Sequence, residues 1–264
     1  MKGRVLIIAG SDPSGGAGIQ ADIKTVTALG GYAATAITSL TVQDTNGVSA
    51  VHPVAPDVVA AQIGAVLGDI GADAIKIGMI GDVATAEVIE VALKGAAQDI
   101  PVVLDPVLAA TSGDTLANGG VAGFIAARLC PLATMITPNL LEAGLLTGHE
   151  MNSEDAAVLA ARDFIARGAH AALIKGGHGE NDTITDILVH GGHIEKFTHA
   201  RINTTSTHGT GCTLASAIAT GLAQGLSLTA STARAIEYVQ GAIKNAPGYG
   251  GGHGPLNHAH PFTS

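Results

Sequence analysis

Residues 207–212 read Thr-His-Gly-Thr-Gly-Cys, and residues 213–222 continue as Thr-Leu-Ala-Ser-Ala-Ile-Ala-Thr-Gly-Leu. Leu214, Ile218 and Leu222 recur at four-residue intervals, which predicts a buried helix that begins at the glycine turn. The first amides of a helix lack intrahelical partners, and the helix dipole is positive at that end. Glycines in the turn would let the backbone approach an anion closely, because they have no Cβ atom. The stretch therefore predicts a phosphate-binding helix N-terminus.

The cysteine of this stretch has two interpretations. Cys212 lies in the first turn of the predicted helix, a setting that lowers the pKa of a thiol below its free value of roughly 8.5. On that interpretation we expect an accessible thiolate. The alternative is a small hydrophobic side chain that packs at the start of a core helix, which is the commoner role of a free cysteine.

The composition indicates an aliphatic α/β protein. The 264 residues are 47% hydrophobic but 3% aromatic, and we expect one domain over 1–264 with a Gly/His/Pro-rich tail over 246–264. The net charge of −9 argues against binding to nucleic acid or to an anionic membrane surface. Two cysteines and an N-terminal apolar run of five residues predict a soluble cytoplasmic protein. Because cations are few, backbone amides and a metal ion would have to carry the charge of a bound nucleotide.

Strands and helices alternate along the chain, which predicts an α/β fold with a mostly parallel central sheet and helices on both faces. Residues 5–9 are a continuous apolar run, as in a strand buried on both faces, and a glycine-rich loop over 10–18 follows it. Parallel strands gather their following loops along one edge of the sheet, where ligands bind. The loops of interest follow Ala9, Leu40, Ile77, Leu104, Ile136 and Ile174.

Several polar side chains near these loops have both a structural and a functional interpretation. Gln43 is either a loop residue or a two-pronged contact to a ring with adjacent donor and acceptor atoms. Asn139 and Glu142 fit a capping box, and their oxygens would also suit a hydrated Mg²⁺ ion. Lys175 is either a solvated turn residue or a point charge on a phosphate. Asp22, near the start of a helix, either complements the helix dipole or holds a ligand.

Two further patterns suggest other ligands. Residues 16–21 satisfy the loose dinucleotide pattern G-x-G-x-x-A, with Asp44 roughly 20 residues on, which leaves an NAD-binding oxidoreductase as an alternative. Six residues separate this pattern from the preceding strand, so the match is weak. His253, His258 and His260 suggest a metal, but no HExxH or CxxC motif accompanies them. The Walker lysine loop and the G-x-S-x-G motif are absent from the sequence.

Eight stretches, read together and in order, carry a resemblance to a known family. They are residues 9–12, 14–22, 76–79, 105–107, 111–113, 137–142, 175–178 and 208–212. The chain resembles the hydroxymethylpyrimidine/phosphomethylpyrimidine kinases of thiamine biosynthesis, in the ribokinase superfamily. Residues 252–258 also look like the C-terminus of that family, which weakens the metal interpretation of the tail histidines.

The resemblance implies an ATP-dependent phosphoryl transfer to the hydroxymethyl group of 4-amino-5-hydroxymethyl-2-methylpyrimidine, commonly followed by a second phosphorylation to the diphosphate. It implies that Asp22 and Gln43 hold the aminopyrimidine edge, with Met79 and Val107 against the ring. It also suggests a homodimer. A pyridoxal or pyridoxine kinase of the same branch stays open, because a pyridine with a hydroxymethyl group needs a similar pocket. A pyrimidine-binding protein without activity stays open as well.

The resemblance also assigns the groups that would handle phosphate. Gly209, Thr210 and Gly211 would supply the amides of an anion hole. Cys212, which stands where sugar kinases of the superfamily have aspartate, would accept the hydroxyl proton. The Mg²⁺ and triphosphate shell would consist of Asp105, Asn139 and Glu142. Contacts to the phosphates of ATP would come from Lys175, Ser112 and Thr207. We expect the amides and the metal to contribute more to the rate than the thiol, because phosphoryl transfer depends mainly on positioning and charge stabilisation.

Overall fold

A computed structural model of the protein describes residues 1–109, 120–177 and 182–262. The strands, in chain order, are β1 (Arg4–Ser11), β2 (Tyr32–Gln43), β3 (Val48–Pro53), β4 (Ala74–Ile77), β5 (Val102–Leu104), β6 (Met135–Ile136), β7 (Ala171–Ile174), β8 (Thr183–His190) and β9 (His193–Ala200). The α-helices are α1 (Gly18–Ala28), α2 (Pro56–Gly68), α3 (Val83–Lys94), α4 (Val121–Phe124), α5 (Leu140–Thr147), α6 (Glu154–Ala166), α7 (Thr210–Ala223) and α8 (Leu228–Lys244). A π-helical turn over Ile125–Leu129 continues α4.

The strands form one sheet in the order β3-β2-β1-β4-β5-β6-β7-β8-β9. Neighbours from β2 through β7 pair in parallel, and β3, β8 and β9 add antiparallel edges. This topology confirms the predicted α/β class with a mostly parallel sheet. Strand β3 is not predicted by the sequence patterns. Among the described residues, no helix has the length and apolar character needed to cross a lipid bilayer.

Alternate strand residues pack into two hydrophobic cores on opposite faces of the sheet. Leu6 and Ile8 of β1 belong to the core on the side of α2 to α6. Val5 and Ile7 belong to the core on the side of α1, α7 and α8. All four side chains are fully buried, which is why this strand reads as an unbroken apolar run.

The helix predicted after the glycine turn is α7. Leu214 and Ile218 are buried in the second core and Leu222 packs against it, as the four-residue spacing predicts. Gly209 precedes the helix with a φ of 82°, in the left-handed region. A Cβ atom here would also overlap the carbonyl oxygen of Gly16. Both the backbone angle and the close contact therefore require glycine at position 209.

Ser153 caps α6 by accepting a hydrogen bond from Ala156 N at 3.1 Å. We expect Ser153→Ala to lower the free energy of unfolding by about 1 kcal/mol, because that amide loses its acceptor. Urea denaturation followed by far-UV circular dichroism measures the change. Ser153→Asp keeps a capping acceptor and should stay within about 0.5 kcal/mol of the wild type. An equal loss in both variants would contradict the capping role.

Candidate active site

A cavity of about 460 Å³ opens at the carboxyl ends of the parallel strands. Most of the predicted site residues line it: Gln43, Met79, Asp105, Val107, Asn139, Glu142, Lys175, Thr207, Gly209, Thr210, Gly211 and Cys212. Asp22 does not belong to the lining, and Ser112 lies outside the described residues. The loops that follow the parallel strands therefore meet at one edge of the sheet, as the sequence predicts.

The N-terminus of α7 lies in this cavity. Thr210 N donates to Thr207 O at 3.3 Å, and the first bond within the helix runs from Thr213 N to Gly209 O at 2.9 Å. The amides of Gly211 and Cys212 lie between those two bonds, in the turn where helical amides can bind a ligand. The segment is therefore suited to hold a phosphoryl group.

An ion pair lies beside this helix terminus. Lys175 Nζ is 2.8 Å from Asp105 Oδ1, which also accepts a hydrogen bond from Thr137 Oγ1 at 3.0 Å. Burial alone would lower the pKa of Lys175, but the charges of Asp105 and Glu142 outweigh burial and raise that pKa. A Cβ atom on Gly211 would lie 3.2 Å from Lys175 Nζ and 3.5 Å from Asp105 Oδ2. A charged lysine therefore stands next to the first turn of α7.

Asn139 and Glu142 form the predicted capping box at the start of α5. Glu142 N donates to Asn139 Oδ1 at 2.9 Å, and Asn139 N donates to Glu142 Oε2 at 2.8 Å. Burial raises the pKa of Glu142 to about 7, against the opposing charge of Lys175 and with a contribution from Asp105. The structural interpretation of this pair is therefore confirmed.

The same region has the carboxylates that a magnesium ion would need. Asp105 is almost fully buried and Glu142 is buried, and both line the cavity. Within residues 1–109, 120–177 and 182–262, no group of three or more His, Cys, Asp or Glu side chains is arranged to hold a metal ion. A pair of carboxylates nevertheless suits Mg²⁺, which commonly takes one or two from the protein and its other ligands from phosphates and water.

Asp22 lies beneath the cavity and not in it. Its two oxygens accept hydrogen bonds from Lys76 Nζ at 2.9 and 2.8 Å, and Oδ1 also accepts one from Ser216 Oγ at 2.7 Å. The side chains of Asp22 and Lys76 are fully buried. A direct contact between Asp22 and a ring in the cavity, which the resemblance implies, does not fit this geometry. The sequence patterns miss Lys76 as its partner, although a lysine inside an apolar strand signals a buried counter-charge.

The predicted direction of the Cys212 pKa is wrong. Burial raises the pKa of the Cys212 thiol to about 11, and the charges of Asp22 and Asp105 add to that rise. Lys76 and a hydrogen bond to the backbone of Gly18 oppose the rise without cancelling it. The helix-terminus argument accounts for the local field alone and leaves out burial and the carboxylates that come from distant parts of the chain. Cys212 is therefore a protonated thiol near neutral pH.

Asp12 joins the glycine-rich loop after β1 to the segment before α7. Its Oδ2 lies 2.8 Å from His208 Nε2 and accepts a hydrogen bond from Ala17 N at 2.7 Å. Burial would raise the pKa of Asp12, but the hydrogen bonds, of which the one with His208 is the largest, lower it. Cβ atoms on Gly16 and Gly18 would overlap the His208 ring and a carbonyl oxygen of the loop. These contacts account for the dinucleotide-like glycine pattern without a nicotinamide cofactor.

The part of the cavity near β2, β1 and β4 is narrow and mixed in polarity. Gln43 at the end of β2, together with Met79 and Val107, lines it. Met79 is held by a hydrogen bond from Thr38 Oγ1 to its carbonyl oxygen at 2.7 Å. A small ring with a polar edge would be held here between one amide side chain and two apolar side chains.

The part of the cavity near β8, β9 and α8 is mostly apolar, with Asp186, His199 and Arg201 also in its lining. Its other lining residues are Ile184, Ile202, Ile236, Val239, Gln240 and Ile243. His199 Nε2 lies 3.4 Å from Asp186 Oδ2, and this hydrogen bond raises the pKa of His199. Arg201 donates from Nη1 to Gly177 O at 2.9 Å. Apolar surface beside positive charge suits a base and its phosphates, and the sequence patterns miss all of these side chains.

A protein-family model described as phosphomethylpyrimidine kinase matches residues 12–257. The chain belongs to this family. The resemblance drawn from eight short stretches is thereby confirmed over nearly the whole sequence. Membership in a kinase family also favours phosphoryl transfer over the NAD-binding alternative.

Two curated relatives and one solved structure agree with this family membership. The chain is 43% identical over 258 residues to the hydroxymethylpyrimidine/phosphomethylpyrimidine kinase of Rhizobium meliloti, covering 97% of this chain and 96% of the relative. It is 46% identical to the thiamine biosynthesis bifunctional protein ThiED of Geobacter sulfurreducens, of which it spans about half, 52%. The pyridoxal kinase of Bacillus subtilis, solved as an ADP complex, superposes with a TM-score of 0.91 at 34% identity and 100% coverage of both chains.

The raised pKa of Glu142 predicts a pH-dependent stability of the folded protein. The folded state keeps the Glu142 proton up to about pH 7, whereas the unfolded chain releases it near 4.5. Between these values the folded state binds more protons, so the free energy of unfolding falls as pH rises. We expect Glu142→Gln, which keeps a capping acceptor, to reduce that fall by roughly 2 kcal/mol between pH 4.5 and 7.5. Urea denaturation of both proteins across this range tests it, and parallel curves would contradict it.

Proposed function

We propose that this protein is an ATP-dependent kinase that phosphorylates 4-amino-5-hydroxymethyl-2-methylpyrimidine and then its monophosphate, in thiamine biosynthesis. The observation that carries the proposal is the position of the α7 N-terminus in one cavity with two different ends. One end has an amide side chain and apolar contacts for a small ring. The other end has apolar side chains beside the guanidinium group of Arg201. A phosphoryl group bound at the first turn of α7 would lie between a nucleotide and its acceptor.

The acceptor would be held by shape and by one two-pronged contact. Gln43 offers an adjacent donor and acceptor to the edge of an aminopyrimidine, and Met79 and Val107 cover the ring. In that arrangement the hydroxymethyl group would face the amides of Gly211 and Cys212. Fixing both reactants in this way removes much of the entropic barrier to transfer.

The charge that develops on the transferring group would be met by fixed donors. The amides of Gly211 and Cys212 and the ammonium group of Lys175 stand in place before the reaction, so they need little reorganisation. Thr207 lines the same region and would contact a phosphate, as would Ser112 by resemblance. The Cys212 thiol, with a pKa of about 11, is not a resting base. We therefore assign it a positioning role, with the hydroxyl proton passing to an oxygen of the transferred phosphoryl group as the new O–P bond forms and ADP leaves.

Asp105 and Glu142 fit a Mg²⁺ ion in the company of a triphosphate, with Asn139 fixing Glu142 through the capping box. When bound, the ion would offset negative charge on the phosphates. The residues themselves contribute two buried carboxylates that would face the metal ion, with the ammonium group of Lys175 paired to Asp105 beside them. The resemblance further supports a cytoplasmic homodimer, and light scattering coupled to size-exclusion chromatography tests the dimer.

A coupled assay of ADP release with each candidate alcohol tests this function. We expect kcat/KM for the hydroxymethylpyrimidine to exceed that for pyridoxal by at least about tenfold, and the pyrimidine monophosphate to be a second substrate. A pyridoxal kinase is the alternative, and the close superposition on the Bacillus subtilis pyridoxal kinase favours testing it. A preference for pyridoxal would replace the proposal. If neither alcohol stimulates the release of ADP, the remaining interpretation is a binding protein without kinase activity.

A further inference from the structure

A segment near the C-terminus lies beside the cavity, to which it contributes His253. We define the strap as residues 250–255. Its middle contacts the turn between β2 and β3, where His253 N donates to Thr45 O at 2.7 Å and Gly252 N donates to Thr45 Oγ1 at 3.3 Å. Its end contacts the segment before α7, where His208 N donates to Gly254 O at 3.1 Å. The strap therefore joins the turn after Gln43 to the residues that lead into the anion site.

Contact between the strap and the turn depends on missing Cβ atoms. A Cβ atom on Gly252 would overlap the carbonyl oxygen of Thr45, and one on Gly250 would overlap the Thr45 side chain. The neighbouring Gly251 differs, because its Cβ atom would lie 3.7 Å from Asn46 Oδ1, an ordinary contact distance. The close approach of the strap to the turn therefore requires glycine at positions 250 and 252 but not at position 251.

The chain beyond the strap is firmly anchored. His258 Nε2 lies 3.0 Å from Thr213 Oγ1 of α7, and Tyr238 OH donates to His258 O at 2.7 Å. Burial lowers the pKa of His258 to about 4, so the ring is neutral at pH 7 and its contact with Thr213 needs no counter-charge. Leu256, which follows the strap in sequence, is also buried. A fixed anchor on α7 keeps the strap in register with the turn.

His253 lines the cavity, and its Nδ1 lies 3.2 Å from Thr207 Oγ1. Thr207 also lines the cavity, and its carbonyl oxygen accepts the hydrogen bond from Thr210 N. The backbone of His253 is hydrogen-bonded to Thr45, on the side of the cavity proposed for the alcohol substrate. Its ring is hydrogen-bonded to Thr207, on the side proposed for phosphate. One residue of the strap therefore links the two ends of the cavity.

We infer that the strap backbone holds the turn that presents Gln43 and that His253, the strap residue that lines the cavity, is a positioning residue that orients the Thr207 hydroxyl toward a nucleotide phosphate. This inference rests on the proposed kinase function. It adds residues from the tail to a site that the sequence motifs confine to the loops after the parallel strands.

Three variants separate the two roles of the strap, with a fourth as control. Gly252→Ala should displace the strap from Thr45 and raise KM for the pyrimidine alcohol by about tenfold. His253→Ala should raise KM for ATP by about fivefold and leave KM for the alcohol within about twofold, because only the hydroxyl contact is lost. His253→Asn offers a polar atom near the position of Nδ1 and should recover most of that loss. Gly251→Ala, the matched control, should leave both constants within about twofold of the wild type.

Melting temperatures of all four variants show whether a change is local. Equal KM values for Gly252→Ala and Gly251→Ala would overturn the role of the strap. An unchanged KM for ATP in His253→Ala, or equal losses in His253→Ala and His253→Asn, would overturn the role of His253. Parallel losses of stability and activity in every variant would reduce the strap to a structural element.

Hydrogen exchange of the ligand-free protein tests the strap without any turnover. We expect the amides of residues 44–47 to exchange at least about tenfold faster in Gly252→Ala than in Gly251→Ala. Unchanged exchange would contradict the inference whatever the kinase assay shows. If the wild type phosphorylates neither alcohol, the proposed function fails, and titration of His253→Ala with a non-hydrolysable ATP analogue still decides whether His253 contributes to nucleotide binding.

Discussion

Replacing Gly211 by valine is expected to lower kcat/KM for ADP release by at least about 100-fold, because its branched side chain would crowd the Lys175–Asp105 ion pair beside the first turn of α7. A Cβ atom would lie 3.2 Å from Lys175 Nζ and 3.5 Å from Asp105 Oδ2, and the two methyl groups of valine would extend further into the same space. The side chain would displace the lysine from its ion pair and cover the first-turn amides of α7. The valine side chain would therefore disturb both the charge of Lys175 and the backbone amides that are proposed to bind the phosphoryl group.

Two further variants show whether this loss is specific. Gly64→Val in α2 places the same side chain on an exposed helix position, where the Cβ atom would meet no described atom within 4 Å apart from its chain neighbours and the nearby backbone of α2, and it should keep full activity. Cys212→Ser keeps the first-turn amide and a hydroxyl group, so we expect a loss below about tenfold. Steady-state kinetics with saturating ATP measures all three. A loss in Cys212→Ser that equals the loss in Gly211→Val would show that the thiol is essential and that the amides are not the main contributors.

The elements that the sequence predicts well are those whose signal is local. The apolar run of β1, the four-residue spacing of α7 and the capping box of Asn139 and Glu142 each depend on residues within a few positions of one another. The gathering of loops at one edge then follows from the alternation of strands and helices, because parallel strands share an orientation. Local pattern and sheet topology account for the meeting of the loops, and the family resemblance selects the twelve predicted residues that line the cavity.

Strand β3 is missed because its signal is weak and its partner supplies the register. Its residues are exposed or half-buried, so the chain shows no continuous apolar run over Val48–Pro53. Pairing with β2 in antiparallel register defines it as a strand. An edge strand of this kind resembles a polar loop in the sequence, since one of its sides has no neighbour to bury it.

Rules that consider only neighbouring residues in the sequence fail for the electrostatics of the site. The thiol of Cys212 is governed by burial and by Asp22 and Asp105, which are distant in sequence. Asp22 itself is paired with Lys76, 54 residues away. The helix-terminus rule for Cys212 and the dipole rule for Asp22 each consider one helix alone. Charges that meet through tertiary packing therefore change both conclusions, and the family motifs, which are equally local, do not show the change.

The buried ion pair beneath the cavity gives the largest stability effect that we expect. Lys76→Met should lower the free energy of unfolding by about 3–5 kcal/mol, because it leaves a buried carboxylate without its counter-charge. Lys76 Nζ lies 2.9 and 2.8 Å from the two oxygens of Asp22, and both side chains are fully buried. Burial by itself would lower the pKa of Lys76, but Asp22, Cys212 and Asp105 outweigh burial and raise it. Lys76 is therefore held charged inside the protein, and its charge opposes the burial that raises the pKa of Asp22.

A matched substitution at the surface separates this effect from the loss of a lysine as such. Lys196 Nζ lies 2.6 Å from Glu154 Oε2, with both side chains about half exposed, at 53% and 52%. Lys196→Met should therefore cost less than about 1 kcal/mol, because water and salt screen an exposed pair. Urea denaturation at pH 7 compares the two variants. Equal losses would mean that the Asp22–Lys76 pair contributes no more than a surface contact.

The double variant Lys76→Met/Asp22→Leu tests whether the ion pair serves stability alone or also activity. Apolar side chains that replace a buried ion pair commonly restore stability, so we expect the double variant to recover most of the loss of the single one. Its activity should not recover, because Ser216 Oγ donates to Asp22 at 2.7 Å and this bond ties α1 to the helix that carries the anion site. A stable but slow double variant would show that the charges serve to position α7. A stable variant with full activity would show instead that the pair fills space and that any well-packed core beneath the cavity is sufficient.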